Sequence, residues 1–236
     1  YTVKEVAVDG YTSKVTGYNI ENTHKVEKTT VSGKKTWDDA NDQDGIRPNG
    51  VTFKLYADGV DTGKTATADA SSNWKYKFEN LDKYKAGNVV TYTVKEASVN
   101  EYTAVQDGFN FTNKHTPYTR TVKVTKKWAN DVAGDRPSSI KVRLMADGTE
   151  VADKTVTPDA NGDWKAEFDN LPVNKDGNKI KYTVKEDQVQ DYTVTYTGDV
   201  DNGYIITNTH IEKPKPNTKG NKPGGKKLVK RHGPKT

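Results

Sequence analysis

The chain has 236 residues, 32% of them hydrophobic, and a mean hydropathy of −0.95, which excludes a thick core and favours thin sandwiches in which only alternate residues point inward. It has no cysteine, which rules out disulfides and cysteine metal sites, and no apolar run long enough to cross a membrane. Residues 211–236 hold eight Lys and one Arg against Glu212, so the net +5 divides into +8 for this tail and −3 for residues 1–210, which argues against nucleic-acid binding by the domains.

In chain order, the first feature is Tyr-Thr-Val-Lys-Glu at 1–5, which recurs at 92–96 and 182–186. Each copy precedes a closing phrase of the pattern Gly-aromatic-x-apolar-x-Asn-x-His, at 17–24, 108–115 and 203–210. A fixed period marks an array. Residues 1–24 read as the last third of a repeat, 25–115 and 116–210 as two complete repeats, and 211–236 as a tail. Each complete repeat opens on an alternating strand, Val31-x-Gly33-x-Lys35-x-Trp37 or Val122-x-Val124-x-Lys126-x-Trp128. The loop Asp44-Gly45-Ile46-Arg47-Pro48 or Gly134-Asp135-Arg136-Pro137 follows, then a strand with Val51, Phe53 and Leu55, or Ile140, Val142 and Leu144, on one face. Asp58-Gly59 and Asp147-Gly148 are hairpin signals. Trp74-x-Tyr76-x-Phe78, matched by Trp164-x-Ala166-x-Phe168, is a further strand before the Tyr-Thr-Val-Lys-Glu and closing strands. Period-2 alternation without a helical period predicts an all-β chain of tandem sandwiches. The tail, with four of the nine prolines, is expected to be a flexible spacer.

The alternation has a chemical consequence. It places Lys35 on the inward face with Val31 and Trp37, and Lys126 with Val124 and Trp128. It also points Glu96 and Glu186 inward, and ends the inward sets of the closing strands on Asn113 and Asn208. Burying one unpaired charge costs several kcal/mol, so the same three polar types buried twice call for a joint account. A desolvated lysine becomes a neutral nucleophile and a buried glutamate stays protonated. The acid can polarise the asparagine carbonyl and shuttle a proton to departing ammonia, leaving an amide between the two side chains. The alternative is a buried Lys–Glu ion pair capped by the asparagine, with no covalent bond. Lys34 and Lys127, one residue along, fall on the solvent face.

The ordered combination Val-x-Gly-x-Lys-x-Trp, Asp-Gly-x-Arg-Pro, Tyr-x-Val-x-Glu and closing-strand Asn resembles the B-type repeat of Gram-positive collagen-adhesin proteins (CnaB-type domains) over residues 1–210. The resemblance implies inverse immunoglobulin-like sandwiches with spontaneous isopeptide bonds. Carried over by position, these are Lys35–Asn113 assisted by Glu96, and Lys126–Asn208 assisted by Glu186. Val124 in place of the glycine and a shorter acidic loop are departures that leave the reactive positions intact. Glu5 and Asn22 form an incomplete site, because no lysine strand precedes them in this sequence. The reading is a structural stalk of a cell-wall-anchored, extracellular adhesin, stiffened by single-turnover bonds and without enzymatic turnover or a cofactor. Its partners would be cell-wall peptidoglycan and, through other domains, a host matrix ligand. A matrix-binding module and a polymerising pilus subunit are the alternatives.

Other signals are weaker. Asp38 to Gly45 resembles a calcium loop in composition, but the ligand spacing fails, and a solvated turn is expected without a metal. His24, His115 and His210 occupy linker positions. The four tryptophans are expected in the core. Pro234-Lys235-Thr236 resembles the remnant of a sortase signal, although Gly233 stands where that signal has leucine.

Overall fold

The computed structural model describes residues 1–131 and 133–212. The basic tail from residue 213 on, with Pro234, Lys235 and Thr236, lies outside the described residues. The strands are β1 (Tyr11–Thr16), β2 (Asn19–His24), β3 (Lys28–Asp38), β4 (Gly50–Ala57), β5 (Val60–Asp69), β6 (Lys75–Asp82), β7 (Tyr84–Lys85), β8 (Asn88–Val89), β9 (Tyr92–Glu96), β10 (Thr103–Asp107) and β11 (Asn110–Lys114). The second series runs β12 (Thr119–Ala129), a 3-10 turn (Ala133–Asp135), β13 (Ile140–Ala146), β14 (Thr149–Val156), β15 (Trp164–Pro172), β16 (Asn174–Lys175), β17 (Asn178–Lys179), β18 (Tyr182–Glu186), β19 (Tyr192–Asp199) and β20 (Gly203–His210).

Besides the two-stranded β1-β2 and β7-β8 pairs, the first series makes two larger sheets, ordered β10-β11-β3-β6 and β5-β4-β9. Their inward faces share one core: Val31 from β3, Phe53 and Leu55 from β4, Tyr76 and Phe78 from β6, Val94 from β9 and Phe111 from β11. This is the sandwich that the alternation anticipates. The sharp β4–β5 turn forms because Asp58 and Gly59 both adopt left-handed φ (49° and 81°), the conformation that a two-residue hairpin matching strand twist requires. Asp147 and Gly148 (49° and 84°) do the same between β13 and β14.

The second series repeats the plan as β15-β12-β20-β19 and β14-β13-β18. In both, the first long strand lies beside the last and parallel to it, β3 against β11 and β12 against β20. Parallel neighbours cannot be joined by a tight turn, so the intervening chain must cross to the facing sheet and return. That route brings residues far apart in sequence into one pleat.

Residues 1–24 contribute only the β1–β2 hairpin, a two-stranded sheet in which every strand residue is exposed. Three strands or a helix against a sheet are ordinarily needed for independent stability.

The acidic stretch after β3 departs from the expected solvated turn. Asp39 and Asp44 are buried, because Ala40, Asn41 and Asp42 take successive left-handed conformations (φ 51°, 61° and 60°). That coil turns the two carboxylates toward protein donors instead of water.

Candidate functional site

The site begins with the pleat of β3, whose burial alternates so that Val31 and Lys35 point inward and Lys34 and Thr36 outward. In the parallel ladder Lys35 lies opposite Phe111 and Trp37 opposite Asn113. Asn113 is therefore the diagonal neighbour of Lys35 on the same face, within reach of a long side chain. Glu96, at the end of β9, sits on the facing sheet, where β4 pairs it with Phe53. Lys35 and Asn113 are each 1% exposed.

Lys35 Nζ lies 3.7 Å from Glu96 Oε2, and Asn113 Nδ2 donates to Glu96 Oε1 at 2.6 Å. The second site has the same parts. Lys126 faces Ile206, and Trp128 faces Asn208. Lys126 Nζ is 3.5 Å from Glu186 Oε1, and all three side chains are buried. The sequence expectation for these six residues thus meets a single constellation in each sandwich, and Lys34 and Lys127 are exposed beside it.

Burial pulls both lysines down to about 8, against the opposing pull of Glu96 or Glu186. Burial likewise raises both glutamates, outweighing the hydrogen bonds and lysine charge that would lower them. Both shifts favour the uncharged forms. A neutral Lys–Glu pair and an ion pair hold the same number of protons, so the dryness of the site, not the pH, selects between them.

Asn113 Oδ1 and Asn208 Oδ1 are buried without a hydrogen-bond partner. Such groups are costly. A protonated Glu96, with the amide turned by half a rotation, would donate to Asn113 Oδ1, the oxygen that becomes negative when an amine attacks.

Around each amine stands an aromatic wall. Lys35 Nζ is 4.3 Å from the centre of the Trp37 ring, and Lys126 Nζ is 4.2 Å from Trp128. Trp37 packs edge-on against Trp74 and Tyr102, as Trp128 does against Trp164 and Tyr192. The sequence reading missed the polar cover over this wall. Asp39 accepts from Arg47 and from Tyr102, while Asp131 accepts from Arg136 and Tyr192. The Asp-Gly-x-Arg-Pro motif was the available signal.

Gly33 has a steric reason. A Cβ there would fall 1.9 Å from Phe109 O and 2.7 Å from the Tyr76 hydroxyl, which donates to Phe109 O at 2.5 Å. In the second sandwich Val124 replaces the glycine and Ala166 replaces the tyrosine, so volume moves from one strand to its neighbour.

The first copy sets Glu5 against the exposed hairpin, accepting from Asn22 and Ser13 at 2.7 Å each, and among the described residues Glu5 makes no ion pair with a lysine. His115 does lie in the linker between β11 and β12, and its side chain, 5% exposed, sits 2.8 Å from Asp44. His24 packs on Tyr11 and His210 on Tyr192.

A family profile described as the Cna protein B-type domain matches residues 31–114 and 122–209. The chain belongs to the Cna B-type family. The Cna B-type repeats here are 40% identical over 218 residues to a collagen adhesin of Staphylococcus aureus, a match that covers 89% of this chain and 18% of that protein. The crystal structure of two B repeat units of the S. aureus collagen-binding protein is also similar, at 37% identity and a TM-score of 0.64, over 87% of this chain and 55% of that one. This chain is therefore a tandem array of Cna B-type sandwiches spanning a small part of the length of the adhesin it matches.

Proposed function

We propose that the chain is a stalk segment of a surface adhesin in which each complete repeat closes its own Lys–Asn isopeptide bond. The supporting observation is the twofold burial of a lysine beside a carboxyl–asparagine pair, with both ionisable groups shifted toward neutrality. Lys35 Nζ attacks Asn113 Cγ while the Glu96 hydroxyl donates to Oδ1. The new C–N bond forms, the bond to Nδ2 breaks, and the amine's surplus proton passes through the carboxylate to the departing group. One ammonia leaves for each amide made, and Glu96 ends as it began. Glu186 serves Lys126 and Asn208 in the same way.

The product suits a load-bearing role. Closing the 78-residue interval between Lys35 and Asn113 removes unfolded-state freedom on the order of 4 kcal/mol, by analogy with a disulfide of similar span. Unlike a disulfide, an amide is not reduced, so the larger gain is in resistance to unfolding and proteolysis. In this reading residues 1–24 end a preceding repeat, 25–115 and 116–210 are the complete repeats, and 211–236 is a wall-spanning spacer. The name of the S. aureus relative supports an extracellular, surface-attached setting. Covalent attachment to peptidoglycan through Pro234-Lys235-Thr236 and a matrix ligand held by other domains complete the proposal.

Intact mass tests it. The full chain is expected to weigh two ammonia molecules less than its sequence, with digestion releasing Lys35–Asn113 and Lys126–Asn208 linked peptides. A chain at full sequence mass would refute the amides and leave the buried ion pair as the account.

A further inference from the structure

We propose that Arg47 and Arg136 are positioning residues for amide formation: each neutralises the aspartate beside the reactive lysine and braces the tryptophan that covers the amine. The inference rests on the amide-forming reading above and assigns a task to the one shared motif which that reading leaves unused.

Two loops of different length and sequence build the same cover. Arg47 follows Trp37 by ten residues and Arg136 follows Trp128 by eight, while the aspartate follows its tryptophan by two residues in one case and three in the other. Yet Arg47 grips Asp39 through Nε and Nη2 at 3.0 and 2.6 Å, and Arg136 grips Asp131 through the same atoms at 2.5 and 3.2 Å. A tyrosine from beyond the glutamate strand completes each, Tyr102 at 2.9 Å and Tyr192 at 3.5 Å. The guanidinium carbons lie 5.4 Å from the Trp37 ring centre and 5.7 Å from that of Trp128, the same rings that the lysine amines approach. A loop selected only to connect strands has no reason to rebuild this arrangement after losing two residues.

The electrostatics explain why the guanidinium is needed. Besides Glu96, the charged groups acting on Lys35 are Asp39, which favours the ammonium, and Arg47, which opposes it. On Lys126 they are Glu186 and Asp131, and Asp131 is held by Arg136. Tyr102 and Tyr192 stay neutral, their hydroxyls pushed up by burial and the adjacent aspartates. Without Arg47 the Asp39 carboxylate would stand uncompensated near the amine, favouring the ion pair over the reactive neutral pair. A bidentate guanidinium cancels that charge and holds a planar carboxylate in one orientation, which in turn fixes Tyr102 against Trp37.

The test follows ammonia loss during cell-free synthesis of the full chain, with acid quenching and peptide mapping of both linkages in the same molecules. In Arg47→Gln the Lys35–Asn113 bond is expected to form roughly tenfold more slowly at neutral pH, the effect of a one-unit change in a pKa, with its pH optimum displaced to higher pH. The Lys126–Asn208 bond should keep its rate as an internal clock, and Arg136→Gln should give the mirrored pattern. Asp39→Asn combined with Arg47→Gln removes both charges and should restore the original pH optimum. Wild-type rate and pH profile in Arg47→Gln would overturn the proposal. So would a double variant as slow as the single one with an unmoved optimum, since that would mean packing alone. Absence of either bond in the wild-type chain would instead overturn the amide reading itself.

Discussion

Glu5 and Glu96 occupy the same place in the same five-residue phrase, and each accepts a hydrogen bond from an asparagine 17 residues later, at 2.7 and 2.6 Å. Their carboxyl pKa values are shifted in opposite directions. Hydrogen bonds from Ser13 and Asn22 hold the half-buried Glu5 carboxyl below its ordinary value, whereas burial drives Glu96 above it despite the Asn113 bond. The pairing of glutamate with asparagine is thus a local property of the repeated segment. The raised carboxyl of Glu96, which the proposed amide formation requires, is a property of the whole sandwich, which removes water and adds the lysine.

The strongest way to break this comparison is to count bonds. Two ammonia molecules, not three, should be lost from the chain, and Asn22 should remain an amide in every digest. Glu96→Gln should retain one further ammonia, at the first site alone. A cross-linked Asn22 would show that the hairpin suffices.

Next in size is stability. Glu96→Gln should lower the melting temperature of the first sandwich by about 15–30 °C, the consequence of losing roughly 4 kcal/mol from a domain of this length. The second transition in calorimetry should not move. Coincident, unshifted transitions would remove the stabilising role.

The two sandwiches can also be set against each other. Tyr76→Ala should cost about 3–5 kcal/mol through the cavity it leaves against Phe53, whose ring it stacks on at 4.0 Å. Gly33→Val should also destabilise, because its side chain meets Phe109 O. Together they recreate the Val124–Ala166 arrangement and should cost less than their sum, by about 0.5–3 kcal/mol. Strict additivity in urea midpoints would deny the exchange of volume.

The smallest expected effect concerns His115. Burial opposes its protonation, but the bonds to Asp44 and the Glu101 carbonyl, with the charges of Asp44 and Glu101, raise it overall. Asp44, conversely, is lowered: burial works against this, and the His115 and Tyr118 bonds prevail. A raised histidine stabilises fully below its unfolded value, ~6.5, and loses that contribution as pH rises through the folded value. Asp44 loses its contribution as pH falls through its lowered value. Unfolding midpoints should therefore decline gently as pH rises beyond ~6.5, and His115→Gln should flatten that decline. A flat wild-type profile would count against the pair.

Alternation made the lysine, glutamate and asparagine positions legible, because a side chain's face in a strand follows from parity alone. The same parity placed Lys34 and Lys127 outside. What stayed hidden lies in loops and between strands. The Tyr102–Asp39 bond joins residues 63 apart and the His115–Asp44 contact residues 71 apart, through backbone turns with no period to read. Asp39 and Asp44 consequently looked like members of a solvated acidic turn. The trade of Gly33 and Tyr76 for Val124 and Ala166 needed the register of β3 on β6, which pairs Gly33 with Tyr76.

The parallel contact of β3 with β11 also sets how far a stalk could lengthen under tension. Between His24 and His115 the chain runs 91 residues, a contour of roughly 300 Å if drawn out fully at about 3.4 Å per residue. With Lys35 joined to Asn113, the taut path runs eleven residues to the lysine, across one side-chain amide and out two residues later, roughly 45 Å of backbone plus the bridge. With the proposed bond closed, the segment from 36 to 112 would be slack that no pull could recruit. A row of such repeats would behave as a nearly inextensible cord, in which shear transmits its load to the anchor without first being absorbed by unravelling.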